Sequence, residues 1–469
     1  MLKRYFIPLV LLLALLATAV YFLSGNHSKS RDVRASVPVE RFTLSNGLTV
    51  VVMPNDRLPV VSHLLVVKAG GADDPYGKSG LAHYLEHLLF TGTKNFPEGV
   101  YDRSIARVGG TQNAYTTREY TLYYATVAKE HLPAVMTMEA DRIANLSFEP
   151  AAAARELKVI TEERNMRVDN SPAAQWHEQL DALTFLNHPY HQPLIGWAED
   201  MATFTAADAQ KFFNEHYRAS NMILVVAGDV SAREVRRYAQ RYYGGLMAGA
   251  SPPRAWPKEP PLRMSRRGEM HDVRVNEPRI LRQYIAPSVI EGATKDAMPL
   301  AVFAQYVGGG DSSVLYNALV REQKLATSIS VDYDPMAMGP ALLRISATPA
   351  ASITPAQLEE ALDRELARVL ANPLDMAAIT RAKTLLTAEV TYAQDGLQQM
   401  AMVMAELYAH GLDENYFYGW SDAIAQVTDE ATLAAARAVI KPNAGVTGYL
   451  LPETKTTPIV ETPEIQHVP

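Results

Sequence analysis

The chain has 469 residues and a formal net charge of −7, is 48% hydrophobic and 20% charged, and contains no cysteine. Such a length and composition are typical of a globular protein of roughly two to four domains. The acidic charge gives no support for nucleic-acid binding, and the absence of cysteine excludes disulfides and thiolate metal sites, leaving histidine and carboxylate as metal ligands.

The N-terminus carries an apolar run. Residues 5–23 are uncharged and follow Lys3 and Arg4. A bilayer is spanned by about 20 such residues, so we expect an uncleaved signal anchor followed by a polar tether. The anchor would place the rest of the chain outside the cytoplasm, which in a bacterium is the periplasm. Secretion after cleavage at Ala17-Thr18-Ala19 is the alternative.

Three β-rich segments follow the tether. Residues 40–52 contain two such runs around Asn46-Gly47, a dipeptide that favours a tight hairpin turn. Residues 60–67 read as a buried strand, and residues 69–74 as a loop. The sequence therefore predicts a hairpin, a central strand and then the helical segment described next.

Residues 80–93 form the most informative stretch of the chain. His83, Glu86 and His87 spell H-x-x-E-H within a leucine-rich helical pattern. Residues three and four apart lie on one face of a helix, so the two imidazoles project together beside the carboxylate. Burying three polar side chains without partners would cost roughly 1–3 kcal/mol each. The pattern therefore favours a metal site with two histidine ligands and a base, whose third ligand comes from elsewhere.

The chain divides into two related parts. Five prolines between residues 252 and 261 indicate a connector. Residues 205–228, a capped helix followed by Asn221 and an apolar strand, are echoed by residues 428–451, where Asn443 takes the place of Asn221. The second part has no H-x-x-E-H, so we expect one metal site per chain.

The reversed order of the zinc motif gives this sequence a resemblance to the inverzincin metallopeptidases of the pitrilysin and insulysin family. Its length resembles the short branch, which includes mitochondrial processing peptidase subunits and bacterial relatives. The resemblance implies an α+β fold in which two homologous α/β-sandwich halves, each a mostly antiparallel sheet with packed helices, form a clamshell. It also implies one Zn²⁺ per chain, with His83 and His87 as ligands and Glu86 as the catalytic base.

The domain boundaries expected on this basis comprise five segments. They are an anchor and tether (1–36), a catalytic zinc-binding half (37–245), a linker (246–275), a C-terminal non-zinc half (276–455) and a tail (456–469).

The resemblance also implies the third ligand, a glutamate on a later helix. Glu163 stands where the family has it, and Glu156 lies two helical turns earlier on the same face. We expect Glu163 to bind zinc and Glu156 to support the site. The neighbouring Glu162 is rotated by about 100° and is the alternative ligand.

Substrate-binding residues are implied in both halves. Asn113, Ala114 and Tyr115 resemble the family's edge strand, which pairs with an extended peptide; an ordinary turn and strand is the alternative. In the second half Arg321 matches the family's substrate-binding arginine. The tyrosine expected seven residues later is absent, since position 328 is serine, and Thr327 and Tyr333 are the nearest candidates.

The predicted function is zinc-dependent hydrolysis of peptides or unfolded segments bound in extended conformation. Because one chain carries zinc and the other the Arg-Tyr pair in paired family members, we expect a homodimer or a heterodimer with a related chain. The alternative is a zinc-binding or non-catalytic assembly subunit that needs a partner chain for activity.

Overall fold

The computed structural model describes residues 38–290 and 294–453. The predicted membrane segment at residues 5–23, its tether up to residue 36 and the tail from residue 456 lie outside these described residues. Across the two described ranges, every helix falls short of the length and hydropathy needed to cross a bilayer.

The first half is a six-stranded sheet packed against helices. Its strands are β1 (Glu40–Thr43), β2 (Thr49–Pro54), β3 (Val60–Val67), β4 (Thr111–Thr116), β5 (Thr121–Ala128) and β6 (Met222–Gly228). Its helices are α1 (Leu81–Leu88), α2 (Val100–Arg107), α3 (Leu132–Asn145), α4 (Pro150–Arg164), α5 (Pro172–Thr184), α6 (Ala198–Met201), α7 (Ala206–His216) and α8 (Ala232–Tyr243). The sheet order is β1-β2-β6-β3-β5-β4, and β2 with β6 is its one parallel pair.

The second half repeats this arrangement with five strands. They are β7 (Arg266–Asp272), β8 (Arg279–Ala286), β9 (Ala326–Tyr333), β10 (Ala341–Pro349) and β11 (Gly445–Pro452). The helices are α9 (Thr294–Gly308), α10 (Pro355–Ala371), α11 (Met376–Ala393), α12 (Leu397–Ala409), α13 (Glu414–Gln426) and α14 (Asp429–Val439). The sheet order is β7-β11-β8-β10-β9, with β7 and β11 parallel. This order reproduces β2-β6-β3-β5-β4 strand for strand, which confirms the predicted two homologous α+β halves.

One predicted boundary is wrong. Residues 266–272, assigned to the linker, form β7 at the edge of the second sheet, so the connector without regular structure ends before Arg266. The strand was missed because its sequence, RRGEMHD, is polar and pairs with a neighbour on one side only. An edge strand of this kind lacks the apolar signal by which buried strands are identified.

One helix of each half packs on the sheet of the other half, and we call these two helices the exchanged helices. The opposite apolar face of each sheet is covered by helices of its own half. Helix α12 of the second half packs on β3 and β6, and Met400, Met402 and Met404 are buried in that interface. Helix α5 of the first half packs on β11, where Trp176 and Leu180 are buried. The three methionines are therefore core residues at the contact between the halves.

The connector is fastened to the molecule. The Arg254 guanidinium donates to the Asp73 carboxylate, with nitrogen–oxygen distances of 3.0 and 2.7 Å. The Glu259 carboxylate accepts hydrogen bonds from three successive backbone N–H groups of residues 186–188. His188 packs against Trp256 of the connector. The connector is thus a strap across the first half.

Candidate metal centre

Helix α1 is set in place by buried contacts at its start and along its length. The Asp74 carboxylate accepts hydrogen bonds from the N–H groups of Gly80 (2.7 Å) and Ala82 (2.8 Å), two of the donors that a helix start leaves unpaired. Gly80 has a φ of 88°, which a side chain would strain. The Tyr84 hydroxyl donates to the Ala153 carbonyl at 2.6 Å and so ties α1 to α4. These contacts fix how α1 faces α4.

Helix α4 brings the two carboxylates predicted for the site. Glu156 and Glu163 face α1, whereas Glu162 is exposed to solvent. Immediately after α4 the helix widens into a π-helical turn, Asn165–Asp169, a departure from α geometry that is frequent at functional sites. The structure thus favours Glu163 over Glu162 as the residue that faces the two histidines.

His83, His87 and Glu163 converge on one point. Each offers one ligand atom, and these atoms all lie within 4.8 Å of one another. His87 Nε2 lies 3.2 Å and His83 Nε2 lies 3.6 Å from Glu163 Oε2. Zinc ligands at roughly 2.0–2.2 Å in a tetrahedron are separated by roughly 3.3–3.6 Å. The two measured separations therefore suit one zinc ion, and two imidazoles with a carboxylate are a donor set that zinc accepts.

Two further charged groups support the cluster. Glu156 Oε2 lies 3.5 Å from His87 Nδ1, the ring nitrogen that would not face a metal. Arg167, on the π-helical turn, donates to Glu163 Oε1 at 2.8 Å and leaves Oε2 towards the histidines. Partners of this kind orient metal ligands and raise their basicity. The expected supporting position of Glu156 therefore agrees with the geometry.

The electrostatics of the cluster favour a cation between its members. Burial and the neighbouring His87 lower the pKa of His83 to about 3. Burial also acts to lower the pKa of His87, but Glu156 and Glu163 raise it to about 9. Burial acts to raise the pKa of Glu163, yet the interactions with His87 and His83 lower it to about 2. Without a metal ion the carboxylates thus keep a proton on His87, and a bound ion would replace that proton.

Glu86 lies beside the cluster. Its side chain is buried, and its Oε2 accepts a hydrogen bond of 2.6 Å from the Thr116 hydroxyl at the end of β4. Burial raises the pKa of Glu86, and the Thr116 hydrogen bond partly opposes that rise. A carboxylate with a raised pKa is suited to accept and return a proton near neutral pH. Thr116 was not predicted, although it follows Ala114 by two residues and so shares its face of the strand.

The predicted substrate strand is an edge strand. Strand β4 ends the sheet order and pairs with β5 alone, from Thr111 to Thr116. Ala114 is buried on the face that carries α1, whereas the Tyr115 ring lies against Tyr120 on the other face. The Asn113 side chain accepts from the Ala114 N–H at 2.9 Å. The edge strand β4 therefore ends at Thr116, whose hydroxyl contacts Glu86.

Arg321 is not brought to this cluster. It lies on a π-helical segment of the second half, Tyr316–Glu322, where it donates to Asn317 at 3.1 Å and covers the Tyr316 ring. Thr327 and Tyr333, the candidates for the missing tyrosine, lie on β9, and the Tyr333 hydroxyl donates to the Pro287 carbonyl. The described contacts of these three residues stay within the second half.

Comparisons with known proteins agree with this architecture. Residues 50–197 match the family model described as insulinase (peptidase family M16), and residues 203–386 match the model described as peptidase M16 inactive domain. Together these matches span most of the chain. The chain belongs to the M16 peptidase family.

The relatives include a bacterial zinc protease and a mitochondrial peptidase subunit. The chain is 31% identical over 291 residues to zinc protease PqqE of Helicobacter pylori, covering 61% of this chain and 65% of that protein. It is 33% identical over 211 residues to a probable mitochondrial-processing peptidase subunit beta of Schizosaccharomyces pombe, covering 45% of this chain and 46% of that protein. The matched segments thus span less than two thirds of these relatives.

A solved structure extends the likeness in fold. The crystal structure of a protease from Helicobacter pylori superposes with a TM-score of 0.83 at 25% identity, over 89% of this chain and all of that one. These findings confirm the resemblance to the pitrilysin and insulysin family and the two-half fold. They identify the chain in general terms as a member of a zinc metallopeptidase family, and zinc is the metal that the family implies.

Proposed function

We propose that this protein is a zinc endopeptidase that hydrolyses peptides or unfolded segments bound in extended conformation. The observation that carries the proposal is the convergence of His83, His87 and Glu163 beside Glu86. In this proposal the first three residues hold one Zn²⁺, Glu86 is the base, and Glu156 orients His87. A zinc ion at that point would polarise the peptide carbonyl and make a water molecule more acidic.

The chain's own groups then account for proton transfer. Glu86 accepts the proton of the attacking water and returns it to the leaving amine. The Thr116 hydroxyl holds the Glu86 carboxylate in one orientation through the 2.6 Å hydrogen bond. Because Thr116 lies on β4 and contacts Glu86, we expect a substrate on β4 to lie within reach of Glu86.

The substrate in this proposal adds a strand to the first sheet. Backbone groups of β4 at Asn113, Ala114 and Tyr115 pair with the peptide, a mode that requires an extended chain and is tolerant of sequence. Support comes from the position of β4 at the end of the sheet order. A folded substrate could not pair in this way, so we propose unfolded or flexible segments as the substrate class.

The second candidate function is that of a zinc-binding subunit that needs a partner chain for activity. The described second half covers the face of the first sheet opposite α1, and Arg321 lies within that half. A role of Arg321 at a metal centre would therefore be exerted on a second chain, as a homodimer or a heterodimer would allow. The yeast relative is named as a subunit, which favours this alternative of a zinc-binding subunit that needs its partner.

The proposed location is outside the cytoplasm. It rests on the apolar residues 5–23 and on the cationic Lys3 and Arg4 before them. Anchoring by an uncleaved segment and release after cleavage both place the metal centre in the same compartment.

Cleavage of an unstructured peptide pool by the full-length chain tests the function. Glu86→Gln removes the base, so we expect bound zinc to remain and turnover to fall by a factor of about 10² to 10⁴. Glu162→Gln removes the same charge from an exposed neighbour of Glu163 and should leave turnover unchanged. Equal activity of Glu86→Gln and wild type would contradict the proposal. Zinc binding without any cleavage by the wild type would favour the partner-dependent alternative.

A further inference from the structure

The turn between β4 and β5, residues 117–120, is held by the second half. Glu119 in this turn is buried, with 9% of its side chain exposed. Its carboxylate accepts a hydrogen bond of 2.7 Å from the Met338 N–H and forms a buried ion pair with His410. The Tyr190 hydroxyl donates to the same carboxylate. Met338 and His410 both belong to the second half, so Glu119 joins the halves.

Other contacts reach the turn from the connector and from the exchanged helix α5. Arg254 donates to the backbone carbonyl of Glu119. Arg118 donates to Asp181 of α5 at 2.7 Å, and Asp181 accepts in turn from Gln283 on β8 of the second half at 2.8 Å. Both charged side chains of the turn therefore point into the interface between the halves.

The opposite side of the turn supports the metal centre. The carbonyls of Thr117 and Arg118 accept from the N–H groups of Gly71 (3.0 Å) and Ala72 (2.8 Å), in the loop that leads to α1 and contains Asp74. A Cβ added at Gly70 would lie 2.4 Å from the Thr117 carbonyl oxygen, so loop and turn are in close contact. Immediately before the turn, Thr116 holds Glu86. A displacement of the turn would therefore be transmitted to the base.

We propose that Glu119 and His410 are positioning residues for Glu86, and that the non-zinc half acts on the reaction through this turn from the far side of the sheet. The inference rests on the proposed function. Stability alone is a weak reason for such a pair, because replacing a buried ion pair with apolar residues is often neutral or stabilising. Removing one partner leaves the other charge buried and unpaired, which would force the turn to move.

The test compares two substitutions of His410 in the full-length chain, with zinc content, kcat and KM on an unstructured peptide as readouts. His410→Leu removes the partner of Glu119; because a misplacement of about 1 Å can cost 10²-fold, we expect kcat to fall roughly ten- to a hundredfold. Zinc should remain bound, since its ligands lie on α1 and α4, and KM should change by less than about threefold because β4 stays paired with β5. His410→Gln keeps a donor near the position of Nε2 and should restore most of kcat.

A matched control separates positioning from loss of stability. Leu407 lies on α12, three residues before His410, and is 4% exposed in the apolar core between the halves. Leu407→Ala should lower Tm yet leave kcat within about twofold at temperatures where the variant is folded. Unchanged kcat in His410→Leu, or an equal loss of kcat in Leu407→Ala, would overturn the inference.

A further variant covers the case in which His410→Leu does not fold. Arg254→Met removes the connector's contact with the Glu119 carbonyl, and we expect the same loss of kcat with zinc retained. Unchanged kcat in this variant would overturn the inference as well. The outcomes also separate the two proposals: if Glu86→Gln is inactive and both positioning variants match wild type, only the inference fails. A wild type that binds zinc and cleaves nothing overturns the inference together with the proposal that the chain is active without a partner.

Discussion

The two halves of this protein share one strand order but differ in the side chains that the helix after their central strand buries. In the first half that helix, α1, buries His83 and Glu86 among leucines. In the second half the helix after β8 is α9, whose buried residues are apolar, among them Leu300, Phe303 and Val307. The fold is therefore stable without polar groups at this position. Burial of the polar side chains of α1 costs free energy, and a bound cation would offset that cost.

The two halves also differ in the helix that packs on this one, which is α4 in the first half and α11 in the second. Helix α4 presents Glu156 and Glu163 to α1 at a spacing of two turns. The corresponding helix of the second half, α11, packs on α9, and its buried residues Ile379 and Ala382 are apolar. One half thus carries the site, and the other half supports it.

The largest effect is expected from loss of a ligand. His87→Ala removes an imidazole that lies 3.2 Å from Glu163, so the remaining two residues cannot complete the three-ligand set. Zinc content and peptidase activity should both fall to background. Elemental analysis and a peptide assay of the same preparation would check this. Residual activity in proportion to residual zinc would still agree with the prediction. Full activity without bound zinc would contradict the assignment of these residues as a zinc site.

Metal removal should destabilise the first half more than the second. A ligand at about 1,000 times its Kd stabilises the folded state by about 4 kcal/mol. Hydrogen exchange with and without a chelator should therefore show lost protection in α1 and α4, while α9 and α11 keep theirs. Equal loss in both halves would mean that the halves unfold as one unit, and the division into site and support would then not extend to stability.

Removal of the supporting carboxylate should have an intermediate effect. Glu156→Gln keeps the shape of the side chain but weakens the interaction with His87 Nδ1, so zinc affinity should fall about 10- to 100-fold. Competition with a chromophoric chelator measures this loss. Glu162→Gln serves as the control, because Glu162 is exposed one residue before the ligand. A larger loss of zinc affinity in the control would indicate that Glu162, and not Glu163, binds zinc.

A pH dependence of zinc binding, similar in size to the effect of Glu156→Gln, is also expected. The pKa of about 9 at His87 means that this ring carries a proton at neutral pH when no metal is bound, whereas His83, with a pKa of about 3, and Glu163, with a pKa of about 2, do not. Zinc must then displace one proton, so affinity should rise about tenfold per pH unit from pH 6 to pH 8 and level off above pH 9. Calorimetry in buffers of different ionisation enthalpy counts that proton, and a flat profile would contradict this charge state.

Local patterns of the sequence predicted the features that depend on local chemistry. The spacing of His83, Glu86 and His87 requires only one helical turn, and the Asn46-Gly47 turn is flanked by β1 and β2 as expected. The repeat around Asn221 and Asn443 follows from two capped helices that each precede a sheet strand. Each of these signals lies within a few residues.

The features that were missed depend on distant residues. The polar strand β7 takes its place from its pairing with β11, about 180 residues later. The turn at Glu119 is held by His410, 291 positions away in the sequence, and no periodicity links the two. The exchange of α5 and α12 is likewise a property of packing between halves, since each reads as an ordinary amphipathic or apolar helix.

The position of the metal ion tests most directly whether His83, His87 and Glu163 form a zinc site. Anomalous diffraction at the zinc absorption edge, from crystals of the full-length chain grown with one equivalent of zinc, would locate the ion. We expect a single strong peak in contact with His83 Nε2, His87 Nε2 and Glu163 Oε2, beside Glu86. A peak at Glu162, or zinc bound only elsewhere in the chain, would contradict it.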